Sequence, residues 1–171
     1  DSLLIKELLK HDISEQHLKL SIEGLIRNRG SIELIQQILP RLTDITSLQG
    51  LLKTSFDFRC LDIIPHILSS PLCDNALKIE ALNLSIEKGS LAVFEQILTE
   101  HRAAFSPNDL QRALRSATVR GSPEIVTRLL TEGILDDTNE RCHLIFHAVG
   151  IALLQIQSVE RRAAYLETVR A

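Results

Sequence analysis

The sequence predicts an all-α fold: a solenoid of stacked helix-turn-helix repeats with a period of about 30 residues. Three observations predict it. An apolar quartet, two adjacent apolar residues, two others, then two more apolar residues, occurs five times: Leu4-Ile5/Leu8-Leu9, Leu34-Ile35/Ile38-Leu39, Ile63-Ile64/Ile67-Leu68, Val93-Phe94/Ile97-Leu98 and Ile125-Val126/Leu129-Leu130. Its first members are 30, 29, 30 and 32 residues apart, a rhythm that chance does not keep. Three quartets follow a Gly-Ser pair, Gly30-Ser31, Gly89-Ser90 and Gly121-Ser122. Finally, 44% hydrophobic and 24% charged residues in a 171-residue chain are enough for one globular domain or repeat array with a real core, and exclude disorder.

Apolar positions at i, i+1, i+4 and i+5 share one face of an α-helix, so each quartet marks a short amphipathic helix, helix B. The Gly-Ser pair closes the helix before it, because glycine adopts the left-handed conformation of a C-cap and serine bonds the open amides of the next helix. That preceding helix, helix A, covers residues 113–120, 81–88, 51–58 and 22–29. The repeats run over about residues 14–41, 44–70, 74–101 and 106–133, after a partial repeat at 1–11 and before divergent capping helices at 138–171. Ser14, Asp74 and the Ser106-Pro107-Asn108-Asp109 run suit helix starts. Pro40, Pro71 and Pro107 stand in the connections between repeats. The second repeat has Arg59-Cys60 in place of Gly-Ser, and a non-glycine residue in the left-handed region costs about 1 kcal/mol, so this joint is expected to be the least regular. Small residues at Ser55, Ser85 and Ala117 let neighbouring hairpins approach closely; the residue matched to them in the first repeat by quartet spacing is Ile26.

Nineteen Lys and Arg against twenty-two Asp and Glu give a formal charge of −3, which argues against the electropositive face of a nucleic-acid binder. An aromatic content of 4% removes base-stacking platforms as well. Cys60, Cys73 and Cys142 have no paired spacing and leave one over, as free thiols in a reducing compartment would. No apolar run approaches the eighteen or so residues of a membrane span, and the start, Asp1-Ser2-Leu3, has neither Met nor a leader pattern. The expectation is a cytoplasmic segment of a longer chain.

The residues around the last turn resemble the ankyrin repeat. Leu114, Ala117, Gly121, Glu124, Ile125, Val126, Leu129, Leu130 and Gly133 fall in register with the family pattern Leu-His-x-Ala-Ala-x-x-Gly-His-x-Glu-hydrophobic-Val-x-x-Leu-Leu-x-x-Gly, and residues 82–99 follow it through Gly89, Val93, Ile97 and Leu98. The family's Thr-Pro-Leu-His block is missing, its place taken by Arg112-Ala113-Leu114-Arg115, Glu80-Ala81-Leu82-Asn83 and Gly50-Leu51-Leu52-Lys53. Helix A is therefore expected to begin a turn early and the β-hairpins to be short or absent; a generic α-hairpin solenoid is the structural alternative. The resemblance implies a non-catalytic protein–protein interaction module, a targeting or scaffold segment of a larger intracellular protein. Such arrays occur in eukaryotic signalling proteins and in effectors that bacteria deliver into a host cytoplasm. The alternative is a substrate-recruiting accessory domain of an enzyme whose catalytic domain lies outside these residues.

No constellation favours catalysis. Cys142, His143 and His147 come nearest to a metal site, but closed zinc sites take four ligands, and Cys60 and Cys73 belong to distant repeats. Leu144 stands where a metalloprotease motif has glutamate. Asp136-Asp137 suit a helix N-terminus better than acid/base work. The glycines are spaced by a repeat rather than gathered into a phosphate loop, so no cofactor, metal or small-molecule ligand is expected. Glu160 and Glu167 dilute the basic character of Arg161, Arg162 and Arg170, and no membrane role is expected.

Function is then sought in the exposed surface that repeat arrays use to bind proteins. By analogy with ankyrin repeats, the end of helix A reads the partner. The candidate partner-binding residues are the two before each turn: Asn28 and Arg29, Asp57 and Phe58, Glu87 and Lys88, Val119 and Arg120. Gln49, Ile79 and Gln111, leading into helix A, are secondary candidates. Phe58 is an aromatic anchor candidate, with Arg29 and Arg120 supplying charge for acidic groups on a partner; packing of Phe56 and Phe58 into the irregular second joint is the competing role.

Overall fold

The computed structural model describes residues 13–133 together with Phe146, His147, Gly150, Ile151 and Leu154. The quartet at residues 4–9, the 1–11 partial repeat, Asp136-Asp137, Cys142, His143 and the 160–170 basic run lie outside the described residues. Among those described there is no strand. Over residues 13–133 eight α-helices follow in order: α1 (Glu15–Arg27), α2 (Ile32–Ile38), α3 (Ile45–Asp57), α4 (Ile64–Leu68), α5 (Asn75–Glu87), α6 (Leu91–Glu100), α7 (Pro107–Arg120) and α8 (Pro123–Thr131). Odd-numbered helices are the expected helix A, even-numbered ones helix B. The chain divides into two compact units, Asp1–Leu84 and Ser85–Ala171.

Each helix A begins six or seven residues before the segments marked by sequence, nearly two turns early where the sequence leads one to expect one. The starts are written in side chains. Asp44 Oδ1 accepts from the Thr46 amide at 3.0 Å, and Asp74 Oδ1 from the Leu77 amide at 2.8 Å. At Ser106 the capping box is complete: its hydroxyl accepts from the Asp109 amide at 3.2 Å while Asp109 Oδ2 accepts from the Ser106 amide at 3.0 Å. The Ser106 hydroxyl, which donates to Asp109 Oδ2 at 2.5 Å, and then the Ser106 amide hold the Asp109 carboxyl below its ordinary range. Ser14 also stands at an N-cap, but no side-chain capping bond forms there; its hydroxyl meets His17 Nδ1 at 2.7 Å.

The ends are more uniform than the sequence suggests. In all four hairpins two amides turn back in the Schellman pattern. The inner bonds are Arg29 to Ile26, Arg59 to Phe56, Gly89 to Ile86 and Gly121 to Thr118, and the outer ones Gly30 to Leu25, Cys60 to Ser55, Ser90 to Ser85 and Ser122 to Ala117. The left-handed residue is Arg29 (φ 50°), Arg59 (φ 56°), Gly89 (φ 66°) or Gly121 (φ 65°). Two expectations need correction here. The left-handed residue of the first turn is Arg29, not Gly30, and the position matching Ser55, Ser85 and Ala117 is Leu25, not Ile26. The second turn also closes with the same bonds as its sisters, despite Arg59. Its irregularity lies further on. Pro65 has no N–H for a bond to Leu61, and the chain enters α4 through a 3-10 turn, Leu61–Ile63, in which the Ile64 amide bonds the Leu61 carbonyl.

The first hairpin thus has one residue more between its turn and α2, because Gly30 makes the outer turn bond and Ser31 stands at the N-cap, two places that coincide at Ser90 and Ser122; this accounts for the single 29-residue step between quartets. The φ of Gly30 is not left-handed; what it supplies is space. A Cβ on Gly30 would lie 2.7 Å from Leu25 Cδ2 and 3.3 Å from the Leu25 carbonyl oxygen. In the other turns the corresponding partner is small, Ser55, Ser85 or Ala117, and the residue in the place of Gly30 carries a side chain: Cys60, Ser90 or Ser122.

The four described quartets are buried throughout. In the first unit α1 packs on α3, α2 on α1, and α4 on α3. The core there includes Ile22, Ile26, Leu48, Leu51, Leu52 and Phe56, and Cys60 Sγ donates to the Ile26 carbonyl at 3.1 Å. Glu15 secures the start of the next hairpin by accepting the Asp44 amide at 2.6 Å and the Thr43 amide at 3.1 Å. In the second unit α7 packs on α8 and α8 on α6, around Phe94, Leu110, Leu114, Val126 and Leu129. Glu132 takes Arg102 Nε at 2.8 Å and Arg128 Nη1 at 2.6 Å, pinning the loop after α6 to the end of α8. The Ser55 and Thr118 hydroxyls, both buried, bond the carbonyls of Leu51 and Leu114 four residues back, so burial leaves them satisfied.

Candidate functional site

Burial repeats along helix A. The alternation of buried and open residues over 51–60 recurs residue for residue at 81–90, and differs at only one place, Gly121, over 113–122. In each case two buried pairs are followed by an exposed pair that ends the helix. These exposed pairs are Asp57 and Phe58, Glu87 and Lys88, and Val119 and Arg120. In the first hairpin the equivalent pair is Arg27 and Asn28, because the turn falls one residue earlier than quartet spacing implies. Arg29 is exposed too, but it occupies the turn position itself. Asn28 spends part of its amide on its own helix, Nδ2 donating to the Gly24 carbonyl at 2.8 Å.

Phe56 and Phe58 separate cleanly. Phe56 is core, 2% exposed, whereas Phe58 is 43% exposed. One face of the Phe58 ring is covered by the Arg27 guanidinium, 5.7 Å from the ring centroid, a cation–π contact worth about 0.5–1 kcal/mol at an open site. The second unit repeats this relation with different chemistry: Glu87, the last residue of α5, reaches Arg120, the last of α7, at 3.9 Å. Counted from the left-handed residue, Arg27 and Glu87 hold one position and Phe58 and Arg120 the next. Hairpin neighbours in both units therefore meet through the same pair of positions. Val119, beside Arg120, is 70% exposed, an apolar side chain with no role in the core.

No family model, curated protein or solved structure matches the chain.

Gln49, Ile79 and Gln111 are half-buried and belong to the packed flanks of helix A more than to its exposed ends. Among the described residues no three His, Cys, Asp or Glu side chains are grouped to hold a metal. Burial pushes the Cys73 thiol up, away from the thiolate that nucleophilic work needs. No helix among the described residues is long and apolar enough to cross a membrane.

Arg27 and Arg59 are the residues that sequence reasoning missed. Arg59 was visible as an odd turn residue but was not connected with a surface. Arg27 was hidden by counting from the quartets, which the extra residue between the first turn and α2 displaces. Counting from the helix starts Ser14, Asp44, Asp74 and Ser106, spaced 30, 30 and 32 residues, puts Arg27 in register with Asp57 and Glu87.

Proposed function

We propose that the chain is a non-catalytic protein-interaction module, an ankyrin-like array whose helix A ends present exposed side chains to a partner protein, within a larger intracellular protein that it targets or scaffolds. One observation carries this reading: the exposed pair closing helix A is open in every described hairpin, while its chemistry changes from Arg-Asn to Asp-Phe, Glu-Lys and Val-Arg, the last three on a nearly invariant buried frame. Positions that packing does not constrain, and that vary in kind at constant geometry, are suited to reading another surface. Phe58 is the natural anchor, since truncating a central aromatic of an interface can cost about 2 kcal/mol or more.

Affinity capture from cytosol, comparing the wild-type chain with an Arg27→Ala/Phe58→Ala variant, tests the proposal. The variant should lose at least about tenfold of the specifically retained partner, the equivalent of about 1.4 kcal/mol. Its melting curve should stay close to wild type, because a half-open ring and an exposed arginine contribute little to the core. Equal retention by both proteins would refute the role of these residues.

A further inference from the structure

We propose that the pocket between the first two turns seats a carboxylate side chain of an acidic segment of the partner protein, held by Arg29 and Arg59. The inference rests on the interaction-module reading and names the chemistry of its partner. The pocket is a surface cavity of about 280 Å³, and Arg29, Gly30, Arg59, Cys60 and Asp62 contribute to its wall. This volume lies just below the range that holds drug-sized ligands and suits one small group.

Both arginines occupy the left-handed position of their turns, where the other two described hairpins have glycine. A residue with a Cβ is disfavoured there, and strained backbone of this kind is concentrated at binding sites. The strain appears twice, 30 residues apart, at the two turns that border one pocket. Neither Arg29 nor Arg59 makes a side-chain hydrogen bond or ion pair among the described residues, so two forked donors stand at the pocket with their capacity unused. Guanidinium groups match planar carboxylates in pairs of N–H···O bonds. The charge on the wall selects among anions. Two arginines and Asp62 leave it with a single net positive charge, which complements a carboxylate; a phosphate dianion would meet the Asp62 carboxylate with excess negative charge.

The test uses N-acetyl hexaglutamate amide, with hexaglutamine and inorganic phosphate as separate arms, followed by backbone amide NMR on the 171-residue chain. Hexaglutamate should shift the amides of residues 29, 30, 59 and 60 saturably, and less so at high salt. Hexaglutamine should not shift them. Arg29→Gly and Arg59→Gly should each weaken hexaglutamate binding about tenfold or more. Both should also raise the melting temperature, since glycine suits the turn better, so loss of binding cannot be mistaken for loss of fold. Absence of a hexaglutamate response, unchanged binding by the glycine variants, tighter binding of phosphate than of peptide, or a lower melting temperature in both variants would each overturn the assignment. If the pocket fails while partner capture still depends on Arg27 and Phe58, the interaction module stands and only its acidic ligand is lost.

Discussion

At the scale of single residues, the four turns show how one fold accepts different side chains if their sizes are traded. Leu25 fills a space that Ser55, Ser85 and Ala117 leave open, and Gly30 yields it, while Cys60, Ser90 and Ser122 can carry a Cβ. A substitution at one member should therefore depend on the other. Gly30→Ala is expected to destabilise the protein by about 1 kcal/mol by driving Leu25 out of its rotamer. Adding the change to Leu25→Ala should cost clearly less, a coupling measurable as a double-mutant cycle in urea unfolding. Additive losses would mean that the two residues do not compete for the same volume. The exchange was not legible in the sequence, because apolar spacing alone cannot distinguish a glycine needed for its φ from one needed for its missing side chain.

At the scale of elements, the short helices B owe their existence to burial. An isolated helix of five to ten residues is unstable in water, so α2, α4, α6 and α8 persist through the faces that their quartets bury. Leu129, wholly buried where α8 packs on α7 and α6, is a direct probe. Leu129→Ala should cost about 2–5 kcal/mol, read from the denaturation midpoint at unchanged slope. A loss below about 0.5 kcal/mol would show that the quartet faces water. These faces were the most legible feature of the chain: all sixteen side chains of the four described quartets are buried. Helix starts were less so. Asp74 and Ser106 cap as their types suggest, whereas Ser14 occupies the position without making the capping bond, and Asp44 caps although spacing had not singled it out. Capping depends on where a short side chain swings, which residue type alone does not decide.

At the scale of the whole molecule, a chain of net charge −3 keeps several carboxylates in bonds that favour their ionised form. Thr43 holds Glu15 below the ordinary range, Thr46 does the same for Asp44, Ser106 for Asp109, and Arg102, then Arg128, for Glu132 against an opposing effect of burial. Every shift has the same sign. A carboxylate depressed in the folded state adds stability that is fully present above its unfolded value, and loses it as pH falls through the folded value. The melting temperature should thus be insensitive to these groups from pH 8 to about 5 and fall below about 4.5, the ordinary glutamate value. Glu132→Gln should flatten part of that acid slope, and an unchanged slope would remove Glu132 from the account. The succession of helices was legible because burial imposes a period on residue type. The exposed pair of the first hairpin was displaced because open positions carry no such signature, and the extra residue between its turn and α2 moved Arg27 out of view.

In the proposed interaction the ends of helix A, not helix B, meet the partner. Hydrogen–deuterium exchange of the chain with and without its captured partner tests it most directly. Binding should slow exchange in peptides covering residues 25–30, 55–60, 85–90 and 117–122, and leave those covering α2, α4, α6 and α8 unchanged. Protection confined to the B helices, with the turns exchanging as in the free chain, would contradict it.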